Sequence, residues 1–306
     1  MSGQPKPSQS RGRLRVGTSG WAYPHWKDRF YPEGLRVKDR FSYYAAQFDT
    51  VEINGSFYRL PSEAAVRAWS EQAPPGFVFA WKASRFITQA KKLKDVADPV
   101  ERVFGRMAAL GEALGPALFQ LPPQLRLNLD RLDQFLPLLP TTTRTAIEFR
   151  HPSWYTPQVL RRLADHDVAL CISDHHDAPA PWEATASFIY VRGHGPGGRY
   201  IGRYPSADLG DWAKLLERWL ADGRDVYAYF DNDIEGAAPL DARDLKARRA
   251  PSLSGRSSQS SKEAEPPWPS TVRASFGQSP AAGVAATFGA GLAAAGDRAA
   301  RPAIAR

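Results

Sequence analysis

Cysteine is nearly missing from this chain of 306 residues: Cys171 stands alone. It cannot close an intrachain disulfide, and no paired-cysteine zinc pattern can form around it. Long apolar runs are missing too, none reaching the roughly 18 residues that a membrane span needs. Residues 1–12 hold no apolar stretch of the kind that marks a secretory leader. These absences lead us to expect a cytoplasmic protein with no membrane partner. The motifs H-x-H and H-E-x-x-H are absent as well, which removes the best-marked histidine metal sites.

What is present is ordinary in amount and uneven in distribution. Hydrophobic residues make up 43% of the chain, enough for a sizeable core. The net charge is +8, but residues 1–12 carry +2 and residues 250–306 carry +3, leaving +3 for residues 13–249. A basic total suggests a nucleic-acid partner; a body this weakly charged reduces the force of that suggestion. Ala, Gly, Pro and Ser fill 36 of the 57 positions from 250 to 306, too little apolar surface to offset the entropy of ordering. The expected organisation is a tail over 1–12, one folded body over 13–249 and a disordered tail over 250–306.

Within the body, strand patterns at 14–17, 50–54, 77–82, 117–121, 145–149, 168–172, 188–192 and 226–230 alternate with helical patterns. The helical stretches fall at 38–48, 62–72, 98–114, 129–136, 156–165, 208–221 and 239–248. The Pro-rich connection from 175 to 185 lacks a full helix. This alternation predicts the α/β class and, at this length, a (β/α)8 barrel of the TIM type. An open doubly wound sheet would advertise a Gly-rich turn after its first strand, and Gly17-Thr18-Ser19-Gly20-Trp21 does not.

Strand side chains alternate between faces. With the apolar set turned to the surrounding helices, Glu52, Lys82, Gln120, Glu148, Arg192 and Asp231 point into the barrel near the C-terminal ends of their strands. Asn54, Arg150, Tyr190, Tyr227 and Tyr229 share that face. Barrel enzymes do their chemistry at that end, and buried charges need partners or a use. One reading is therefore a functional site; the other is a structural ion-pair network, for example Glu52 with Lys82.

Three loops invite similar pairs of readings. Trp21, Tyr23, His25, Trp26, Phe30 and Tyr31 form either an aromatic wall over the mouth or a hydrophobic cluster that ties the loop down. The glycines of 193–198, flanked by Arg192 and Arg199, suit either an anion seat or a flexible turn. Asp174-His175-His176-Asp177 offers metal-ligand types, with Asp174 and His175 as the candidate ligands, or is a polar loop. Glu52, Glu148, Asp174 and Asp231 together suggest a divalent cation, magnesium, manganese or zinc. Cys171 reads as a buried strand residue.

Longer motifs carry a resemblance. The stretch 17–21 with Trp26 and 30–32, then Val51-Glu52-Ile53-Asn54-Gly55-Ser56-Phe57-Tyr58-Arg59-Leu60-Pro61, resembles the YecE-like family, a domain of unknown function numbered seventy-two. Leu121-Pro122-Pro123, Glu148-Phe149-Arg150-His151-Pro152-Ser153-Trp154, Arg192 with His194-Gly195, Tyr200 with Gly202 and Tyr204, and Tyr229-Phe230-Asp231-Asn232-Asp233 extend it over residues 13–249. The resemblance departs at Gln89, Gly193 and Asp231. It implies a TIM-type barrel and supplies no established reaction. The expected function is an enzyme, of hydrolase type, acting on a small anionic, phosphate-bearing ligand. Glu52, Lys82, Glu148 and Asp231 are the catalytic candidates. Asn54, Tyr58, Gln120, Arg150, His151, Trp154, Arg192, His194, Tyr200 and Asn232 are the substrate-positioning ones. A nucleic-acid-binding or nuclease-like protein and a non-catalytic metabolite sensor are the alternatives.

Overall fold

The computed structural model describes residues 10–248. The expected disorder of 250–306 lies outside the described residues, as does most of the 1–12 segment; Gly12 donates its N–H to Leu220 O at 2.8 Å. Eight parallel strands run β1 (Leu14–Thr18), β2 (Thr50–Ile53), β3 (Val78–Lys82), β4 (Leu114–Gln120), β5 (Thr145–Glu148), β6 (Val168–Ser173), β7 (Phe188–Gly193) and β8 (Asp225–Phe230). Each pairs with its sequence neighbour, and β1 pairs with β8. A bridge between Ser19 and Glu52, with Gly20 N–H on Glu52 O at 2.8 Å, brings β1 to β2 and closes the ring. The fold is the expected (β/α)8 barrel.

The helices are α1 (Arg40–Ala45), α2 (Gly55–Tyr58), α3 (Glu63–Gln72), α4 (Ala97–Met107), α5 (Leu129–Phe135), α6 (Pro157–Asp165), α7 (Ser206–Ala221) and α8 (Ala237–Ala247). Local chemistry sets their starts. Ser62 Oγ accepts from Ala65 N–H, Asn128 Oδ1 from Arg131 N–H and Thr156 Oγ1 from Val159 N–H, each satisfying an orphan donor of the first turn. Pro157 at the first helical position of α6 has no N–H to lose. As expected, no helix fills the connection between β6 and β7.

Most element boundaries shift by a few residues, and two of the shifts have a visible cause. The 98–114 pattern ends as an α-helix at Met107 and continues as a tighter turn, Ala108–Ala113, in which Gly111 takes φ +56°. β4 begins three residues early, at Leu114, because Gly115 lies against β3, where a Cβ would come within 2.7 Å of Phe79 O.

Two cores result from the strand alternation. The outer one joins Val51, Ile53, Phe79, Trp81, Phe119, Ile147, Val191 and Phe230 to the helices. The inner one is a plug of Val78, Ala80, Leu118, Ala146, Ala169, Cys171, Phe188, Tyr190, Tyr227 and Tyr229 inside the barrel. One step further along the same strands, the inward positions become Glu52, Lys82, Gln120, Glu148, Ser173, Arg192 and Asp231. The polar layer therefore sits on an apolar floor at the C-terminal end of the barrel.

Candidate functional site

Arg192 is the centre of that layer and is fully buried. Its guanidinium donates to Glu52 (Nη2 to Oε1, 2.9 Å), Glu148 (Nη1 to Oε2, 2.9 Å) and Asp231 (Nη2 to Oδ2, 2.8 Å). Guanidinium nitrogens only donate, and three carboxylates from β2, β5 and the end of β8 receive them. Arg150 Nε adds a bond of 2.6 Å to Glu148 Oε1, and its Nη1 reaches Tyr200 OH at 2.8 Å.

Counting donors against lone pairs separates the carboxylates. Glu148 accepts from Arg150, Arg192, Gln120 Nε2 (2.9 Å) and Ser173 Oγ (3.2 Å). Glu52 accepts from Ser19 Oγ (2.5 Å), Tyr190 OH (2.6 Å) and two nitrogens of Arg192. Each glutamate thus has a donor for every lone-pair site. Asp231 accepts through Oδ2 alone; among the described residues no donor reaches its Oδ1, and it is 9% exposed.

Lys82 is the counterpart among the cations. Its Nζ makes no hydrogen bond or ion pair among the described residues and stands 4.3 Å above the ring of Phe57. Glu52, Glu148 and Asp231 balance Arg150, Arg192 and Lys82 in formal charge, yet of these six only Lys82 bonds to nothing among the described residues and only Asp231 leaves one carboxyl oxygen unbonded there. Burial, with Arg192 nearby, lowers the Lys82 amine to about 8. Burial raises Asp231 to about 6 against the pull of Arg192. Burial would raise Glu148 as well, but Arg150 and Arg192 hold it well below the usual carboxylate range.

His194 closes the network on the β7 side. Its Nε2 faces Arg150 Nη2 and Arg192 Nη1, both at 3.1 Å. Nε2 must accept, so the proton sits on Nδ1 and is shared with Asp174 Oδ1 at 3.1 Å. Burial and the two arginines keep His194 neutral, well below its ordinary value. Asp174 also accepts from His194 N–H and Tyr204 OH, and burial raises it to about 7.

The structure gathers Glu52, Lys82, Gln120, Glu148, Arg150, Arg192, His194, Tyr200 and Asp231 at the barrel mouth. It does not gather the other sequence candidates there. His151 caps the short turn Pro152–Trp154 through Ser153. Trp154 is fully buried, stacked 4.8 Å from Phe149 with its Nε1 on Leu125 O, and belongs to the outer core. Asn232 anchors the β7 loop through Gly202 O and Asp241 Oδ2, both at 2.7 Å. Tyr58 is 69% exposed at the rim, and Asn54 sits at the start of α2 with its Oδ1 buried and unbonded. Ser19, Ser173 and Tyr190 join the network although sequence reasoning gave them no role. The inward parity of Tyr190 and the family motif around Ser19 were the available signals.

The loops resolve mainly toward packing. Trp26, Phe30 and Tyr31 are buried among one another and Phe48 and tie the loop down, whereas half-buried Tyr23 bonds Ser19 O at 2.6 Å and feels the charges of Asp231 and Glu52 at the mouth. The N–H groups of Gly195, Gly198 and Tyr200 are spent on Tyr204 OH, Gly195 O and His194 O. Gly198, with φ +64°, is required because a Cβ there would lie 2.4 Å from Asp174 O. Asp174 and His175 do not act as a ligand pair, since Asp174 turns to His194 and Tyr204. The ligand atoms that do approach one another, within 4.8 Å, belong to His175, His176 and Asp177. Among Glu52, Glu148 and Asp231 the Arg192 guanidinium takes the central place that a divalent cation would need.

Residues 15–266 match the family model described as "Protein of unknown function DUF72". The chain belongs to this family. It is similar to the UPF0759 protein YunF of Bacillus subtilis, with 25% identity over 258 residues, 74% of this chain and 90% of YunF. A DUF72 family protein from Thermotoga maritima matches at TM-score 0.70 and 25% identity over 77% of this chain and 98% of its own. One from Enterococcus faecalis matches at TM-score 0.66 and 20% identity over 81% of this chain and all of its own, and so speaks for the fold alone. Among the described residues no helix is long and apolar enough to cross a membrane.

Proposed function

We propose that this DUF72 protein is an enzyme that acts on a small anionic, phosphate-bearing molecule at the C-terminal mouth of its barrel, with Lys82 as the cation that meets the ligand and Asp231 as the proton carrier. The observation that carries this reading is that the Lys82 amine has no partner among the described residues and Asp231 keeps one free carboxyl oxygen, beside a network in which Arg192, Glu52 and Glu148 are saturated. A purely structural network has no need of an amine on a mostly buried side chain that no protein group binds. Glu52 and Glu148, catalytic candidates by strand position, are reassigned to holding Arg192, because each already accepts from every side. Hydrolysis on this plan would draw its base from Asp231, whose raised basicity suits proton transfer near neutral pH. The exposed Arg85 and Arg199 stand nearby in the β3 and β7 loops as the source of longer-range attraction for an anion.

Calorimetric titration with inorganic phosphate and a panel of sugar phosphates tests the binding half. Affinity is expected to fall as pH rises through about 8, where Lys82 loses its charge, and to drop by about tenfold or more in Lys82→Met. Equal affinity in wild type and Lys82→Met overturns the reading. Turnover of a bound compound that disappears in Asp231→Asn supports the enzyme; tight binding without turnover assigns the pocket to a sensor instead. Exposed Tyr58 and Phe86, with Arg85 and Lys91 over their rings, favour single-stranded nucleic acid as a second ligand class. Salt-insensitive or absent oligonucleotide binding would dismiss that class.

A further inference from the structure

Lys82 and Asp231, the two groups of the layer left with a free valence, offer chemistry beyond charge. An anion site generally surrounds a cation with further donors. Here the amine stands over an aromatic ring, 4.3 Å from the Phe57 centroid, with no donor or acceptor of the protein bonded to it. The charges that act on it are those of Arg192, Glu148, Asp231 and Glu52. Arg192, Glu148 and Glu52 are bound to one another, while Asp231 presents a free carboxyl oxygen. The layer thus holds a nucleophile at the end of β3 and an acid just past β8, around ion pairs that cannot move without breaking.

We infer that Lys82 forms a covalent iminium with a carbonyl carbon of the ligand, which makes the substrate class a phosphate-bearing aldehyde or ketone. The inference rests on the proposed function, since it places the ligand at the same mouth. The neutral amine attacks the carbonyl carbon; the C=O π pair moves to oxygen, which takes a proton from the nitrogen to give a carbinolamine. Asp231 in its acid form then protonates that hydroxyl. The C–O bond breaks, water leaves, and the nitrogen lone pair closes the C=N⁺ bond. The Asp231 carboxylate remains as the iminium's counter-ion. The iminium draws electrons from the adjacent carbon, so proton loss or carbon–carbon cleavage there becomes accessible. The acid–base balance fits: with the amine lowered to about 8, roughly a tenth is free base at neutral pH, and Asp231, raised to about 6, retains a fraction of its acid form.

The test is reductive trapping on the full chain. The protein is incubated with dihydroxyacetone phosphate or glyceraldehyde 3-phosphate and sodium cyanoborohydride, then analysed by intact mass and peptide mapping. One adduct per chain on the Lys82 peptide is expected, dependent on the reductant. In Asp231→Asn the trapping rate is expected to drop by about tenfold or more, and in Lys82→Arg the adduct vanishes. The wild-type map decides the matter even if a variant misfolds. Adducts spread over exposed Lys91, Lys92 and Lys94 with Lys82 untouched overturn the inference. If phosphate binding still depends on Lys82 while no adduct forms, the inference falls and the proposed function stands. If neither is seen, both fall.

Discussion

At the scale of single residues, Arg192 and Lys82 show how two buried cations in one layer play opposite parts. Arg192 spends every donor on fixed acceptors, and removing it would leave Glu52 and Glu148 charged in a dry interior. Arg192→Met is expected to destabilise the protein by about 3–5 kcal/mol in urea unfolding. Arg192→Lys is expected to recover little, because an ammonium cannot serve three carboxylates in a planar fork. Lys82 has nothing to lose in this sense. Lys82→Met is expected to leave stability unchanged or to raise it by about 1 kcal/mol while impairing ligand binding, the trade that marks a functional group. The same unfolding measurement, run side by side, reads both. Trp154 and Asn232 carry the complementary lesson: they lie in family motifs because the scaffold needs them, one as a core plate and one as a loop anchor.

At the scale of elements, the strand ends matter more than the helices. Eight strands and their inward parity were legible, because a two-residue alternation survives in the sequence wherever one face meets helices and the other does not. Helix starts were legible where a capping side chain announces them. Thr156→Ala at the start of α6 is expected to cost about 1 kcal/mol through the lost cap, measured as a shift of the denaturation midpoint. The loops were not legible to the same degree. The aromatic segment 21–31 has the composition of a stacking wall, but packing against Phe48 and Tyr43 buries Phe30 and Tyr31 and leaves Tyr23 as the ring near the mouth. The 193–198 glycines have the composition of an anion seat, but they answer to backbone crowding against Asp174 and Ile201. Composition tells what a loop is made of; which neighbour occupies the adjacent space is settled by elements distant in sequence.

At the scale of the whole molecule, the buried titratable groups set the pH dependence of stability. Asp174 and Asp231, raised to about 7 and about 6, hold protons in the folded state that the unfolded chain has released, so their contribution declines as pH rises through those values. His175, lowered to about 4, and His194, also lowered, refuse protons that the unfolded chain binds, so their contribution declines as pH falls below the ordinary histidine value. The two histidines offset the acids in part between about pH 4.5 and 6, and with Asp233 and Asp241 also raised by burial, stability is expected to change little or fall slightly as pH rises there. Below about pH 4 it is expected to drop as Glu148, held low by the arginines, is forced to protonate. Asp174→Asn removes one of the opposing pair, and its stability is expected to rise with pH across that window by up to about 1.4 kcal/mol per unit. Urea unfolding of both proteins at half-unit steps checks the slope.

By itself the sequence determined the barrel, its strand faces and the list of charged strand ends, since periodicity and burial are properties of each segment taken alone. It also determined that the chain carries the family's motifs. Only the tertiary structure decided which of those charges are spent. Hydrogen-bond valence is a count over neighbours from β1, β2, β5, β7 and β8 at once, and no single segment contains that count. Closing the ring set Arg192 among three carboxylates and left Lys82 and Asp231 with bonds still to make.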